Sequence, residues 1–269
     1  MAGGKKLVES EELNEGLFRA VFDDNLDDAK SYLSRGAQAD WVNEKEGFFN
    51  NAPLHIAAWH GNSHMCRLLL KHGAPTEVEN QFCNTPLIFA SYYGMNGAVQ
   101  ALIDGGSDVN VMSSGSGLTA LHKACMQGFP ETAKILLGAG AFPDALDKQG
   151  RAPLDVIGVE GERNPNNEET RTLKALLADP EKHGGKRVTC QLHPEHTLAM
   201  SLAKTHSAEC LNCAEAIPKG ARQFTCTTCP ERANVRYCRD CALHDGEAQA
   251  DPSQSGSIFQ RILACQCLG

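Results

Sequence analysis

Between Leu54 and Leu154 the chain repeats itself at a period of 33 to 34 residues. The copies read Ala52-Pro53-Leu54-His55-Ile56-Ala57-Ala58, Thr85-Pro86-Leu87-Ile88-Phe89-Ala90-Ser91, Thr119-Ala120-Leu121-His122-Lys123-Ala124-Cys125 and, more weakly, Ala152-Pro153-Leu154-Asp155. A glycine follows each at a fixed offset: Gly61, Gly94, Gly128 and Gly161. Three copies continue into leucine-rich runs that end in a second glycine turn, as in Leu68-Leu69-Leu70-Lys71-His72-Gly73. A period this regular specifies one supersecondary unit stacked on copies of itself, because one unit alone cannot bury its apolar face. Such stacks are binding scaffolds, with extended surfaces and no enclosed site.

The residue types follow from the physics of one unit. Thr85 can cap a helix whose first residue, Pro86, has no N–H to leave unpaired. Small residues such as Ala57, Ala58, Ala90 and Ala124 let neighbouring helices approach closely. Gly61, Gly94 and Gly128 end the first helix in a left-handed conformation. The leucines of the second helix fill the seam between units.

The motif resembles the ankyrin repeat, which implies a mainly α solenoid that binds proteins. Residues 11–38 have the outline of a polar first repeat, through Leu13, Leu17, Val21, Ala29 and Leu33. At the far end, residues 151–178 lose the motif histidine and alanine pair and carry a polar insertion near Gly161. Terminal repeats meet water on one face and are expected to be atypical. The reading is about five units, the outer two acting as caps: residues 1–10 a tail, 11–180 the repeats, 181–189 a linker, 190–245 a second small domain, and 246–269 a flexible tail.

Charge separates the two halves. Residues 1–180 hold 15 Lys and Arg against 24 Asp and Glu, whereas residues 181–241 hold 9 against 6. The acidic array argues against nucleic acid, because phosphate binding needs clustered cations. The absence of a long apolar run and of an apolar N-terminal signal predicts a soluble cytoplasmic chain, with the nucleus also open. Cys66, Cys83 and Cys125 fit small core residues in a reducing compartment.

The remaining chemistry lies between Cys190 and Cys241. The pairs are Cys190/His193, Cys210/Cys213, Cys226/Cys229 and Cys238/Cys241, each with a two-residue spacer. Such a spacer lets two ligands from one tight turn chelate one ion, and Zn2+ takes four in a tetrahedron. Four pairs therefore predict two structural Zn2+ ions in a small, loop-rich, zinc-stabilised domain. Seven thiolates and two zinc ions sum to −3, which balances the +3 of the surrounding segment. An interleaved arrangement joins Cys190, His193, Cys226 and Cys229 in one site and Cys210, Cys213, Cys238 and Cys241 in the other. Other pairings stay open, and His196, His206 or His244 can stand in for a ligand.

This segment resembles the cross-braced fingers of the C1-like (DC1), ZZ and B-box types. His193-Pro194-Glu195-His196-Thr197-Leu198 is similar to the DC1 opening, and Tyr237-Cys238-Arg239-Asp240-Cys241-Ala242 to its final ligand pair, with cysteine in place of histidine. The third gap and the absence of a trailing pair depart from that pattern. A MYND finger is similar more distantly, because the third pair here has two intervening residues and no closing His-x-Cys.

No phosphate-cradling, dinucleotide, nucleophile-elbow or HExxH motif is present. His55 and His122 lie beside no nucleophile, and the family resemblance implies a structural role for them in the turn. The chain therefore reads as a non-enzymatic adaptor, with no catalytic residue. A ubiquitin-ligase-type zinc module and a C1-like lipid-responsive regulator are the alternatives. In residues 258–269 Ile258, Phe259, Ile262 and Leu263 form a short amphipathic face before Cys265 and Cys267. S-acylation of either cysteine is the membrane reading, and docking of that turn onto the protein is the simpler one.

By motif position, the resemblance places Trp59, His60, Tyr92, Tyr93, Met126 and Gln127 on the concave recognition face, with Phe48, Phe49 and Phe82 near the hairpin tips. Six of the chain's 16 aromatic residues thus fall where packing does not require them. Aromatic anchors dominate interface energetics, and the acidic surroundings point to an apolar protein surface with basic rims.

Overall fold

The computed structural model describes residues 2–43, 49–158 and 167–183, and six short strand segments between 188 and 238. For residues 2–9 and for most of the strand residues it describes the backbone alone. The chain divides into two compact units: residues 1–143 with 152–186, and residues 144–151 with 187–269.

The first unit is helical. Its helices run in pairs: α1 (Ala2–Phe22) and α2 (Leu26–Ser34), α3 (Pro53–His60) and α4 (Ser63–Lys71), α5 (Pro86–Tyr92) and α6 (Asn96–Asp104), α7 (Ala120–Gln127) and α8 (Pro130–Gly138). A 3-10 helix, Pro153–Val156, and α9 (Glu168–Ala178) form the last pair. The first helices pack in the order α1, α3, α5, α7 and the 3-10 helix, and the second helices in the order α2, α4, α6, α8, α9. This is the solenoid the period predicts, and each pair is closed by its neighbour. Leu54, Leu87 and Leu121 of the motif and Leu69, Leu102 and Leu136 of the second helices are fully buried. Each such leucine contributes roughly 1.5–3 kcal/mol.

The two ends differ from the central repeats. The predicted tail of residues 1–10 is helical, because α1 starts at Ala2. In the fifth repeat the first helix shrinks to one 3-10 turn, and Leu154 is 47% exposed where its counterparts are buried. Among the described residues no further helix pair follows that repeat to cover the motif leucine.

The caps act as the residue types demand. Thr85 Oγ1 accepts from Ile88 N–H, and Thr119 Oγ1 accepts from His122 N–H. Gly61, Gly94 and Gly128 have φ of 72°, 69° and 75°. Two of them also lie under the next repeat. A Cβ on Gly61 would meet Met95 Sδ at 2.9 Å, and one on Gly94 would meet Phe129 at 2.8 Å.

Polar side chains stitch the hairpins that join the repeats. Asn80 Nδ2 donates to Asn51 Oδ1 at 2.9 Å, and Asn110 Nδ2 donates to the Gly140 carbonyl at 3.0 Å. His55 links two repeats: its Nδ1 accepts from Ala52 N–H, and its Nε2–H donates to the Asn84 carbonyl at 2.9 Å. Both nitrogens are used with the ring neutral and buried. His122 is buried likewise, its Nδ1 accepting from Thr119 N–H. Cys66 and Cys125 are buried free thiols, and burial pushes the Cys66 pKa up to about 12 and that of Cys125 higher still.

In the second unit the described residues beyond 187 are short strands. Strands β1 (Val188–Thr189), β2 (Thr197–Leu202), β5 (Arg222–Cys226) and β6 (Arg236–Cys238) form an antiparallel sheet in that order. A separate hairpin joins β3 (Ala208–Glu209) to β4 (Ala216–Ile217). The predicted linker 181–189 thus overlaps the 3-10 helix Pro180–His183 and contains the start of the sheet. Residues 144–151 belong to this unit, where Leu146 N–H donates to the Met200 carbonyl. Their turn closes on Asp147, whose carboxylate accepts from Gln149 N–H, Arg151 N–H and the Arg151 guanidinium.

Burial pulls the His55 pKa down to about 4, although its bond to the Asn84 carbonyl favours protonation. The unfolded chain therefore takes up this proton first as pH falls, so the stabilisation is complete above about pH 6.5 and is lost between there and pH 4. The stability advantage of wild type over His55→Leu, measured by urea unfolding, is expected to shrink by about 3 kcal/mol across that window.

Candidate functional site

The aromatic residues converge on one groove of the first unit. It holds about 760 Å³ and is lined by side chains from first helices on one side and hairpin tips on the other. Phe22 ends α1, Trp59 lies on α3, and Phe89 and Tyr92 lie on α5, which Tyr93 caps. Phe49 and Phe82 come from two successive tips. Their rings lie 5.2 Å apart between centroids. On the helix side Trp59 lies 6.4 Å from Phe22 and 6.5 Å edge-on from Tyr93, which packs on Phe89 at 5.2 Å. These separations are those of favourable aromatic pairs. The Lys123 ammonium lies 5.1 Å from the centre of the Tyr92 ring, within cation–π range.

Local backbone explains how the tips present their rings. Phe49 and Asn50 both have φ of 55°, and Cys83 has 56°. A left-handed phenylalanine is a costly conformation that persists only where the surroundings hold it. Here Phe49 C=O accepts from Gln81 N–H of the next tip, and Asn51 Oδ1 accepts from Asn80.

The predicted face divides in three. Trp59, Tyr92, Tyr93, Phe49 and Phe82 line the groove together. His60 is exposed beside it, against Trp59 at 4.9 Å and Phe22 at 6.3 Å. Met126 does not belong to an open face: it is 3% exposed, since the 3-10 helix of the fifth repeat packs on α7. Gln127 is half-buried and outside the lining, and Phe48 lies outside the described residues. Phe22, Phe89 and Lys123 are additions. Phe22 occupies in the first repeat the position of Trp59 in the second, because Asp24, with φ of 55°, stands where Gly61 does. Aspartate tolerates that conformation better than most residues, so aligning it with the glycines finds Phe22.

Of the proposed zinc ligands, only Cys226 and Cys238 fall on described backbone. Cys226 is the last residue of β5 and pairs with Leu198, while Cys238 is the last of β6 and pairs with Gln223. Three residues of strand separate their positions along the β5–β6 ladder, about 10 Å. The ends of β1 and β2 that residues 190–196 join lie next to the Cys226 end of the sheet, and β3 lies against β6. Cys190, His193, Cys210, Cys213, Cys229, Cys241, His196, His206, His244, Cys265 and Cys267 lie outside the described residues. Among the described residues no helix is long and apolar enough to cross a membrane.

Because Trp59 and Tyr93 are more than a third exposed, replacing either with alanine is expected to cost the array less than truncating a fully buried motif leucine. Leu121→Ala should cost about 2–5 kcal/mol. Thermal melting followed by far-UV circular dichroism compares the three.

The ankyrin-repeats family model, in three copies, matches residues 17–113 and 87–165, together more than half of the chain. A transient receptor potential cation channel subfamily A member 1 homolog of Caenorhabditis elegans is 37% identical over 111 residues, 41% of this chain and 9% of that protein. Zinc finger CCCH domain-containing protein 24 of Oryza sativa subsp. japonica is 31% identical over 161 residues, 56% of this chain and 17% of its own length. Ankyrin repeat and SOCS box protein 11 of Danio rerio is 36% identical over 106 residues, 39% of this chain and 35% of that protein. The matches thus span about a third or less of each relative. The family match stops short of the cysteine-rich segment. With its helix pairs, motif leucines and turn glycines in register, the chain belongs to the ankyrin-repeat family.

Proposed function

We propose that this chain is a non-enzymatic adaptor whose array binds a protein partner through the aromatic groove, and whose second unit is a module held together by two zinc ions. The observation that carries the first part is the groove itself. Trp59, Tyr93 and Phe82 stay 38%, 39% and 56% exposed in an array whose motif leucines Leu54, Leu87 and Leu121 are fully buried. Exposed aromatic clusters in a concavity are where interface hot spots form. His55 and His122 spend ring nitrogens on backbone N–H and C=O groups, which favours a structural role over a catalytic one. The buried free thiols of Cys66 and Cys125 support a reducing compartment, in keeping with a cytoplasmic chain.

The donor set of the second unit fits zinc, and the strand register supports the interleaved pairing. Zn–S bonds are about 2.3 Å long, so ligands whose strand positions lie about 10 Å apart belong to different ions. Cys226 then shares a site with the pair between β1 and β2. Cys238 shares one with the pair between β3 and β4. In this role zinc supplies folding energy and no chemistry.

Two measurements test these parts. Trp59→Ala with Tyr93→Ala should weaken partner binding by several kcal/mol, at roughly 2 or more per hot spot, and leave the helical signal of the array intact. Normal partner capture by a folded double variant would contradict the groove assignment. Metal analysis of protein purified under reducing conditions should find two zincs per chain, and Cys226→Ala and Cys238→Ala should each lose about one. A zinc content of zero would overturn the second part.

A further inference from the structure

The groove draws on four repeats, and its lining changes along its length. The first three supply rings, from Phe22 on α1 through Trp59 on α3 to Tyr92 on α5. The fourth supplies Lys123 from α7, with Ser116 and Leu118 from the tip before it. Since α1, α3, α5 and α7 pack in that order, the lining runs from aromatic at the Phe22 end to cationic at the α7 end. About 760 Å³ is the size of a ligand cleft, roughly 300–1,000 Å³, and takes a few side chains.

Lys123 is the one charged side chain among the described lining residues. It is half-buried, and its ammonium lies 5.1 Å from the centre of the Tyr92 ring. Among the described residues no carboxylate pairs with it. Glu44, Lys45 and Glu46, which precede the Phe49 tip of the second repeat, lie outside the described residues. A ring face attracts the ammonium but offers no lone pair, so its N–H donors turn to water or to whatever enters the groove. A neutral occupant would strip that water and return nothing, and a cationic one would repel the ammonium. A carboxylate replaces the water with a charge-assisted bond. Ser116 Oγ accepts from the Leu118 N–H, and its O–H remains a donor for an incoming oxygen. One lysine matches one negative charge: phosphate recognition draws on clustered arginines, and no arginine is among the described lining residues. A long acidic tract would also meet the net negative charge of residues 1–180, with 15 Lys and Arg against 24 Asp and Glu.

Deepening the proposed function and resting on it, we infer that the groove takes one linear segment of the partner protein, with bulky apolar side chains among the rings and a single aspartate or glutamate on Lys123. The apolar side chains lie between the Phe49 and Phe82 tips and the helix wall of Trp59 and Tyr93. The carboxylate lies at the α7 end. Within the groove this inverts the basic preference expected from the overall charge of the array.

The test uses the full chain and short synthetic peptides with acetylated and amidated ends, so that charge comes from one side chain. Each carries a pair of Leu, Phe or Trp residues and one variable position, Glu, Gln or Lys, placed on either side of the pair. Binding is read by fluorescence anisotropy. With the variable position on one of the two sides, the Glu set should bind about fivefold or more tighter than the Gln set, the upper end for an exposed ion pair. The Lys set should bind weakest. In the unaltered chain the Glu-to-Gln ratio should decline as salt rises toward 1 M, where the Debye length is about 3 Å. Lys123→Met keeps an apolar stem beside Tyr92 and should bring the ratio to about one, and Lys123→Glu should make the Lys set the tightest. Trp59→Ala with Tyr93→Ala should abolish binding of every set. Gln or Lys peptides that bind as tightly as Glu peptides on both sides overturn the inference, as does a Glu preference that persists in a folded Lys123→Met chain. If all sets bind alike and still need Trp59 and Tyr93, the groove assignment stands and the charge selection falls. If no set binds, the inference fails, and the groove assignment is judged by partner capture with the double variant.

Discussion

Closure of each repeat by the next holds the array together. Leu54, Leu87 and Leu121 are fully buried because another helix pair lies against them, and Leu154 is exposed where the series runs out. The same dependence appears in the polar groups. His55 reaches from its own turn to the Asn84 carbonyl at the start of the next repeat, and Asn51 and Asn80 join successive tips. A buried donor or acceptor without its partner costs about 1–3 kcal/mol. A repeat displaced from its neighbour thus loses hydrophobic closure and backbone satisfaction together. Stacking strength sets stability, and it leaves the groove-facing positions of the first helices and tips free to vary.

That freedom explains the groove. Ile56, Phe89 and Lys123 occupy one repeat position, and Trp59, Tyr92 and Met126 another. At the second of these positions the second and third repeats carry rings that partly meet solvent, Trp59 and Tyr92, whereas Met126 is taken into the core. The apolar surface is therefore concentrated at the first three repeats. Nothing in the stacking logic requires Trp59 or Tyr93 to be aromatic. Their cost in exposed apolar area, together with two left-handed residues at the Phe49 tip, supports the binding role proposed for this surface.

Much of this was legible in the sequence because the helix-pair period, the capping threonines and the turn glycines are local rules acting in agreement. The aromatic positions on α3 and α5 followed from motif alignment alone. Phe22 was hidden because Asp24 replaces the glycine that marks its neighbours. Met126 was misplaced because its burial depends on a 3-10 turn near residue 155 that only tertiary packing creates. The helical character of residues 2–10 and the sheet of the second unit were missed for different reasons. The N-terminal segment has little apolar periodicity, and strands of two to six residues give no readable alternation. The cysteine spacing carries information about metal chemistry, and strand register adds which ends of the sheet Cys226 and Cys238 occupy.

The chain contains two tryptophans, Trp41 and Trp59. Trp41 packs edge-on against Phe18, with ring centroids 6.1 Å apart, and does not line the groove. A Trp41→Phe chain therefore reports on the groove through one fluorophore. Titrated with the partner, its emission should shift to the blue and become protected from an aqueous quencher as Trp59 leaves water. Saturable binding with the Trp59 emission and its quenching both unchanged would show that the partner engages another surface, and would contradict the account.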